Sequence, residues 1–175
     1  MTVNNSELAD KFYAIRSGDK AAFDEIYKDL KIPIYTIIFR ITWDKQTSEE
    51  LLHDLFIKLF LSPPDHSVKN LRAYIFQMAH NLAVNSVKRQ QRHISLDEIP
   101  EPVCQPPSDF ALRMDIGNAL KIIPAQECQI VTLHIIGELK FREISEIMQI
   151  PLGTVLWKYQ KAIGKLQKII SGGTL

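Results

Sequence analysis

The chain has 175 residues, 46% hydrophobic and 23% charged, with 21 Lys+Arg against 20 Asp+Glu for a net charge of +1. This is the composition of a folded protein of one or two small domains, and it excludes disorder as the main state. Seven glycines, none in a phosphate-loop spacing, count against a nucleotide-binding enzyme.

In chain order, Leu8, Phe12 and Ile15 predict a first short helix that stops near Gly18. Asp19 caps a second, in which Phe23, Ile26, Tyr27 and Leu30 recur at three and four residues. Its pattern continues through Ile34, Ile37, Ile38 and Ile41, with a bend expected at Pro33. The capping box Thr47-Ser48-Glu49-Glu50 starts a third helix, with Leu51, Leu52, Leu55, Phe56, Leu59 and Phe60 as its apolar set and Ser62-Pro63-Pro64 at its end. A loop leads to a fourth helix at about 70–91, with Leu71, Ile75, Met78, Ala79, Leu82 and Val87 as its buried stripe. The stretch SLDEIPEPVCQPPS, residues 95–108, holds four prolines and Asp97, Glu98 and Glu101, and reads as an extended acidic linker. Beyond it, helices are expected at 108–123 (stopped by Pro124), 125–136 (stopped by Gly137), 141–148 and 152–170 (ended by Ser171-Gly172-Gly173). No alternation bounded by hairpin turns marks a strand. The expectation is an all-α fold: two small helical bundles, 1–94 and 109–175, joined by the Pro-rich acidic linker 95–108.

The small net charge hides an uneven distribution. Residues 69–93 carry Lys69, Arg72, Lys88, Arg89 and Arg92 with no acid; residues 140–168 carry six basic and two acidic residues. Two separated basic stripes are the footprint of a polyanion ligand, with solvated helix faces as the ordinary alternative.

The first stripe mixes cations, amides and rings on the non-core side of its helix: Arg72, Tyr74, Phe76, Gln77, His80, Asn81, Asn85, Lys88 and Arg89. Such a mixture suits single-stranded nucleic acid, whose bases stack on rings while its backbone meets cations. The second lies in KFREISEIMQIPLGTVLWKYQKAIGKL, residues 140–166. There a short helix, a tight turn at Gln149-Ile150-Pro151 and a second helix make a helix-turn-helix, which sets its second helix in a major groove. Pro151 suits a first helical position. Val155, Tyr159, Ala162 and Leu166 face inward, and Trp157, Lys158, Lys161 and Lys165 face outward, with Thr154 in the first turn. The third helix differs, presenting Glu49, Glu50, His53, Asp54 and Lys58, a mostly acidic face suited to a protein partner.

Enzyme readings find no support. No Ser/His/Asp order or metal spacing stands out, and His53, His66, His80, His93 and His134 are scattered. Cys104 and Cys128 share no ligand spacing and read as reduced thiols. The start, MTVNNSELAD, has no signal-peptide pattern, and the apolar run at 32–41 falls short of the ~20 residues of a membrane span. A cytoplasmic protein without metal or cofactor is expected.

Taken together, these segments resemble the sigma-70-like RNA polymerase sigma factors of the extracytoplasmic-function (ECF) group, over roughly residues 8–170. SEELLHDLFIKLF is similar to the region 2.2 helix, NLRAYIFQMAHNLAVNSVKRQQR to regions 2.3 and 2.4, and ALKIIPAQECQIVTLHIIGELKFREISEIMQIPLGTVLWKYQKAIGKL to region 4. The resemblance implies a transcription initiation factor with no catalysis of its own. It puts contact with the clamp of core RNA polymerase on Glu49, Glu50, His53, Asp54, Phe56 and Lys58. It puts melting and reading of the −10 promoter element on Lys69, Asn70, Arg72, Tyr74, Gln77, His80, Asn81, Asn85, Lys88, Arg89 and Arg92, with a flipped-out base held by the 62–69 loop. Extruding that base costs a few kcal/mol. It puts duplex −35 DNA on Arg142, Thr154, Leu156, Trp157, Lys158, Lys161 and Lys165. The acidic linker would pass the polymerase active-site and RNA-exit channels. An anti-sigma factor, usually membrane-tethered, is an implied partner, and the free chain is expected to be a monomer.

The chain departs from the family pattern at His53-Asp54, where Gln-Glu is common, at Gln77 and His80, where Arg or Lys is common, and at Leu156-Trp157-Lys158, where Lys-Ser-Arg is common. Fewer cations imply a shallower salt dependence, by about 0.9 log unit per missing phosphate contact. Trp157 offers apolar contact to a thymine methyl or packing on a neighbour. Two other readings stay open. A stand-alone helix-turn-helix regulator uses residues 140–166 and predicts a dimer. A helical interaction adaptor uses the acidic third helix.

Overall fold

A computed structural model describes residues 4–65, 67–94 and 119–170. Every regular element among them is a helix. The chain divides into two units, Met1–Glu98 and Ile99–Leu175. The expected linker, most of the 108–123 helix, Cys104 and the 171–175 tail lie outside the described residues.

The first unit holds α1 (Asn5–Arg16), α2 (Lys20–Thr42), α3 (Lys45–Leu61) and α4 (Leu71–Ile94). Asn4 caps α1 by accepting from the Glu7 N–H at 2.8 Å. Gly18, at φ 96°, takes the left-handed turn that a residue with a Cβ resists, and the chain reverses into Asp19. Asp19 caps α2 through the Ala21 N–H at 2.9 Å. The α2 helix runs unbroken across Pro33, and Thr36 donates its hydroxyl back to the Ile32 carbonyl at 2.8 Å. It ends where Trp43 turns left-handed, at φ 52°.

The third helix starts earlier than its sequence suggested. Its cap is Asp44, whose carboxylate accepts from the Thr47 N–H at 2.6 Å. Asp caps as well as Ser or Thr, and Lys45 and Gln46 are good helix formers, so the upstream cap prevails. Ser48, expected in a capping box, is instead buried, with its Oγ 2.8 Å from the Thr42 hydroxyl.

Helix α2 is the centre of this unit and packs on α1, α3 and α4. Leu8, Phe12, Ile26, Leu30, Ile34, Ile37, Ile38, Leu55, Leu59, Ile75 and Phe76 are all but inaccessible. Each such side chain contributes about 1.5–3 kcal/mol of burial, which carries the unit. Lys11 ties α1 to α2: its ammonium sits 3.1 Å from Glu7, 3.4 Å from Glu25 and 3.0 Å from Asp29.

The second unit enters with helical residues at 119–122. It continues as α5 (Ala125–Ile135), α6 (Phe141–Met148) and α7 (Leu152–Ile170). Leu120, Ile123, Ile130, Leu133, Leu139, Ile144, Ile147, Val155, Ala162 and Leu166 make its core. His134 stacks on Phe141 at 4.2 Å and meets the Tyr159 ring edge at 5.0 Å. Its Nδ1 lies 2.8 Å from the Leu139 carbonyl, which can only accept, so Nδ1 carries the proton. The α5–α6 connection passes tightly at Gly137, where an added Cβ would stand 2.5 Å from the Leu133 carbonyl oxygen. Among the described residues no helix is long and apolar enough to cross a membrane.

Candidate nucleic-acid interface

A helix advances about 100° per residue, which decides what α4 shows to solvent. Tyr74, Asn81, Asn85, Lys88 and Arg92 fall on one line and are all exposed, with exposed Arg89 and half-buried Gln77 at its margins. From Tyr74 to Arg92 the line is about 27 Å long at about 1.5 Å per residue. It carries hydrogen-bonding and cationic groups and no carboxylate. Arg72, half-buried, lays its guanidinium over the Phe76 ring at 5.2 Å.

Two residues expected on this surface, Phe76 and His80, are elsewhere, and a third, Asn70, also serves as a cap. Phe76 is fully buried, and His80 is only 7% exposed. Both lie on the side of α4 defined by Ile75, Ala79 and Ala83, so packing claims them. Asn70 caps α4, its side chain accepting from the Ala73 N–H at 3.0 Å.

The start of α4 is held from far along the chain. Asn5 accepts from the Leu71 N–H at 2.7 Å and the Arg72 N–H at 3.3 Å, and donates to the Lys69 carbonyl at 2.8 Å. With Asn70, this satisfies three N–H groups that a helix start otherwise leaves open. Arg16 donates to the Pro64 carbonyl at 2.9 Å, tying the same loop to α1. Between α1 and the loop lies a cavity of about 220 Å³, lined by Asn5, Ser6, Ala9, Phe12, Arg16, Pro64, Asp65, Val68, Lys69 and Leu71. Nothing near positions 62–70 announces Asn5 or Arg16; only the fold brings them there.

On α3, Glu49, Glu50, His53, Asp54 and Lys58 are exposed, as their sequence positions implied. Phe56 is not: it is 3% exposed, with its ring 4.7 Å from Tyr27 and 6.1 Å from Phe23. The apolar groups this face does offer are Ile57, 42% exposed, and Leu61, 72% exposed. The sequence pattern missed both, although they recur at four residues on the same side as Asp54.

In the second unit, the turn between α6 and α7 has the geometry its sequence implied. Gln149 is left-handed at φ 55°, and Ser145 Oγ donates to the Ile150 carbonyl at 2.6 Å. Pro151, expected at the first helical position, instead stands one position before the helix, where its carbonyl accepts from the Val155 N–H at 3.1 Å. Arg142, Leu156, Trp157 and Lys161 are exposed, and Thr154 and Lys158 are half-buried. Lys165 does not join them. Its ammonium pairs with Glu127 at 3.0 Å, and that carboxylate side chain is only 4% exposed. A carboxylate so buried demands a cation, and Lys165 supplies it.

Comparison with known proteins finds relatives of this fold. The family described as Sigma-70 region 2 matches residues 26–93, which take in most of α2, all of α3 and nearly all of α4. The ECF RNA polymerase sigma factor SigW of Bacillus subtilis is 22% identical over 173 residues, covering 88% of this chain and 91% of that protein. The ECF RNA polymerase sigma factor SigK of Mycobacterium tuberculosis H37Rv is 24% identical over 177 residues, covering 95% of each. Among solved structures, the sigma factor RpoE from Bartonella quintana, in complex with the anti-sigma factor NepR, superposes with a TM-score of 0.68 at 16% identity, covering 84% of this chain. CnrH, in complex with the cytosolic domain of CnrY, gives 0.64 at 14% identity and 94% coverage. Residues 26–93 thus match the Sigma-70 region 2 family, and the chain is similar over most of its length to ECF RNA polymerase sigma factors.

Proposed function

We propose that this chain joins core RNA polymerase and directs it to promoters, contributing recognition and strand opening but no chemistry of its own. The α4 stripe supports the −10 role: Tyr74 offers a stacking surface, Asn81 and Asn85 offer amides, and Lys88, Arg89 and Arg92 face the backbone. The cavity beside the 62–70 loop supports the capture of one extruded base. The helix-turn-helix supports duplex −35 reading through Leu156, Trp157, Lys158 and Lys161, with Arg142 and Thr154 near phosphates. The exposed α3 face, Glu49, Glu50, His53, Asp54 and Lys58 with Ile57 and Leu61, supports docking on the polymerase clamp. The proposed boundaries are those of the sequence: 1–94 for polymerase and −10 binding, 95–108 as linker, 109–175 for −35 binding. An anti-sigma factor is the proposed regulatory partner, in line with the complexes of the structural neighbours, and a cytoplasmic monomer is the proposed free form.

The single observation that carries this reading is the acid-free, amide- and cation-bearing stripe on α4. A stand-alone helix-turn-helix regulator would leave that stripe without a ligand. Run-off transcription with purified bacterial core polymerase on a pool of genomic promoter fragments is the test. Transcripts that appear only with the chain are expected. A chain that neither co-elutes with core nor yields transcripts, yet binds duplex as a dimer, would overturn the proposal.

A further inference from the structure

The outward face of α7 is unusual for a surface that meets DNA. Its buried side is set by Val155, Ala162 and Leu166. At about 100° per residue, the opposite direction falls on Gly153, Trp157 and Gly164. Trp157 is 56% exposed, and Leu152 and Leu156, on the flank of the same two turns, are 37% and 38% exposed. From Leu152 to Tyr159 the exposed large side chains are Leu152, Leu156 and Trp157, and the polar side chains that can reach base edges are Thr154 and Lys158 alone. The nearby cations lean on the ring: Lys161 Nζ is 4.7 Å and Lys158 Nζ 5.8 Å from the Trp157 centroid.

The two glycines are a second, independent observation. Glycine inside a helix is destabilising relative to alanine, and packing usually explains its presence. Here, among the described residues outside the helix's own nearby backbone, nothing lies within 4 Å of a Cβ built at Gly153 or at Gly164. No packing contact among the described residues calls for the missing methyl. What a bare position beside Trp157 provides is close approach of the helix backbone to something outside.

Building on the promoter-reading role proposed above, we propose that the face of α7 centred on Trp157 reads the −35 element through thymine 5-methyl groups, with Gly153 letting the helix sit deep in the major groove. Thymine is the base that offers an apolar group to that groove. The ring and the leucines cover methyls, and the ammonium groups of Lys158 and Lys161 move from the ring to flanking phosphates. Trp157 is then the specificity-determining residue, and the lysines supply affinity without sequence choice.

The test uses holoenzyme assembled from core polymerase and the full chain, on a promoter recovered in the run-off experiment, with each −35 thymidine replaced by deoxyuridine. That exchange removes the methyl and keeps every hydrogen-bonding group. Binding is expected to weaken about fourfold per contacted methyl, the worth of burying one such group. Trp157→Ala holoenzyme is expected to bind both promoters alike while holding core as the natural chain does. Gly153→Ala is expected to raise the melting temperature yet weaken −35 binding. Robust promoter-specific transcription with equal binding of thymidine and deoxyuridine promoters would overturn the methyl readout and leave the initiation role standing. So would a Trp157→Ala chain that loses a protein partner but keeps the thymidine preference. Absence of any promoter-dependent transcript would remove the initiation role and the methyl readout with it.

Discussion

The Asn5 side chain is the point at which the start of α4 is most open to attack. Asn5→Ala removes two acceptor contacts, to Leu71 and Arg72, and one donor contact, to Lys69. Loss of a helix cap costs about 1 kcal/mol, and the further bond to Lys69 adds about 0.5–1 kcal/mol at a site partly open to water. The Asn70 cap survives, so the total stays near 1.5–2 kcal/mol rather than the sum of three full bonds. For a domain of this size that is a fall of about 8–10 °C in melting temperature, at roughly 5 °C per kcal/mol. The assay has a built-in reporter: the chain has two tryptophans, Trp43 in the first unit and Trp157 in the second. In a Trp157→Phe background, fluorescence follows the first unit alone. Asn5→Asp keeps an acceptor at the positive end of α4 and is expected to recover most of the loss. If Asn5→Ala melts with the parent, the loop and helix start are held by other contacts and the reasoning fails. On a single-stranded −10 oligonucleotide, Asn5→Ala is expected to lose affinity at temperatures where the unit is still folded, because the loop that shapes the cavity has lost its tie.

Other outcomes follow from single contacts. Lys165→Met is expected to cost about 2–4 kcal/mol, because the buried Glu127 carboxylate loses its cation, while leaving the salt dependence of −35 binding unchanged. Lys161→Met is expected to do the reverse, lowering the salt slope by about 0.9 with no change in melting; titration of promoter binding against salt separates the two. Gly137→Ala drives a methyl toward the Leu133 carbonyl and is expected to destabilise the second unit by about 1–3 kcal/mol, read from Trp157 fluorescence; an unchanged melt would show that the turn yields. Burial alone would lower the Lys11 pKa, but the hydrogen bonds its ammonium donates to Asp29, Glu7 and Glu25 outweigh it and hold the pKa above the ordinary lysine value. Its contribution is therefore complete below about pH 10.4, the unfolded value, and is lost only as pH rises through the raised folded value. The stability gap between the natural chain and Lys11→Met is expected to stay flat from pH 7 to 9, and a gap that closes in that range would refute the assignment.

The helices were legible because apolar residues recur at helical spacing and burial follows that spacing. Ile26, Leu30, Ile34 and Ile37 are a readable stripe before any coordinates exist, and so are Ile144 and Ile147. What failed was the reading of polarity without position. The wheel through Ile75, Ala79 and Ala83 already puts Phe76 and His80 on the inner side of α4, yet their chemistry suggested a ligand. Phe56 failed in the same way, belonging with Leu52, Leu55 and Leu59. Asn5 and Lys165 are a different case. Their partners lie 66 and 38 residues away, and no local pattern encodes a contact that only the tertiary fold makes.

This distinction also explains why a net charge of +1 says so little about a protein that meets a polyanion. Lys11 and Lys165 are spent on carboxylates within their own units, and Arg16 on a loop carbonyl. Lys88, Arg89, Arg92 and Lys161 stand on exposed helix faces. The former group sets the shape of the reading surfaces and the latter their field. A substitution among the first should move melting before it moves promoter binding, and one among the second should do the opposite. On the proposed roles, binding strength would be set by which cations the fold leaves at the surface, not by how many the chain contains. On the −35 role proposed above, with Lys158 and Lys161 the cations beside Trp157, sequence choice there would fall to the apolar groups around that ring.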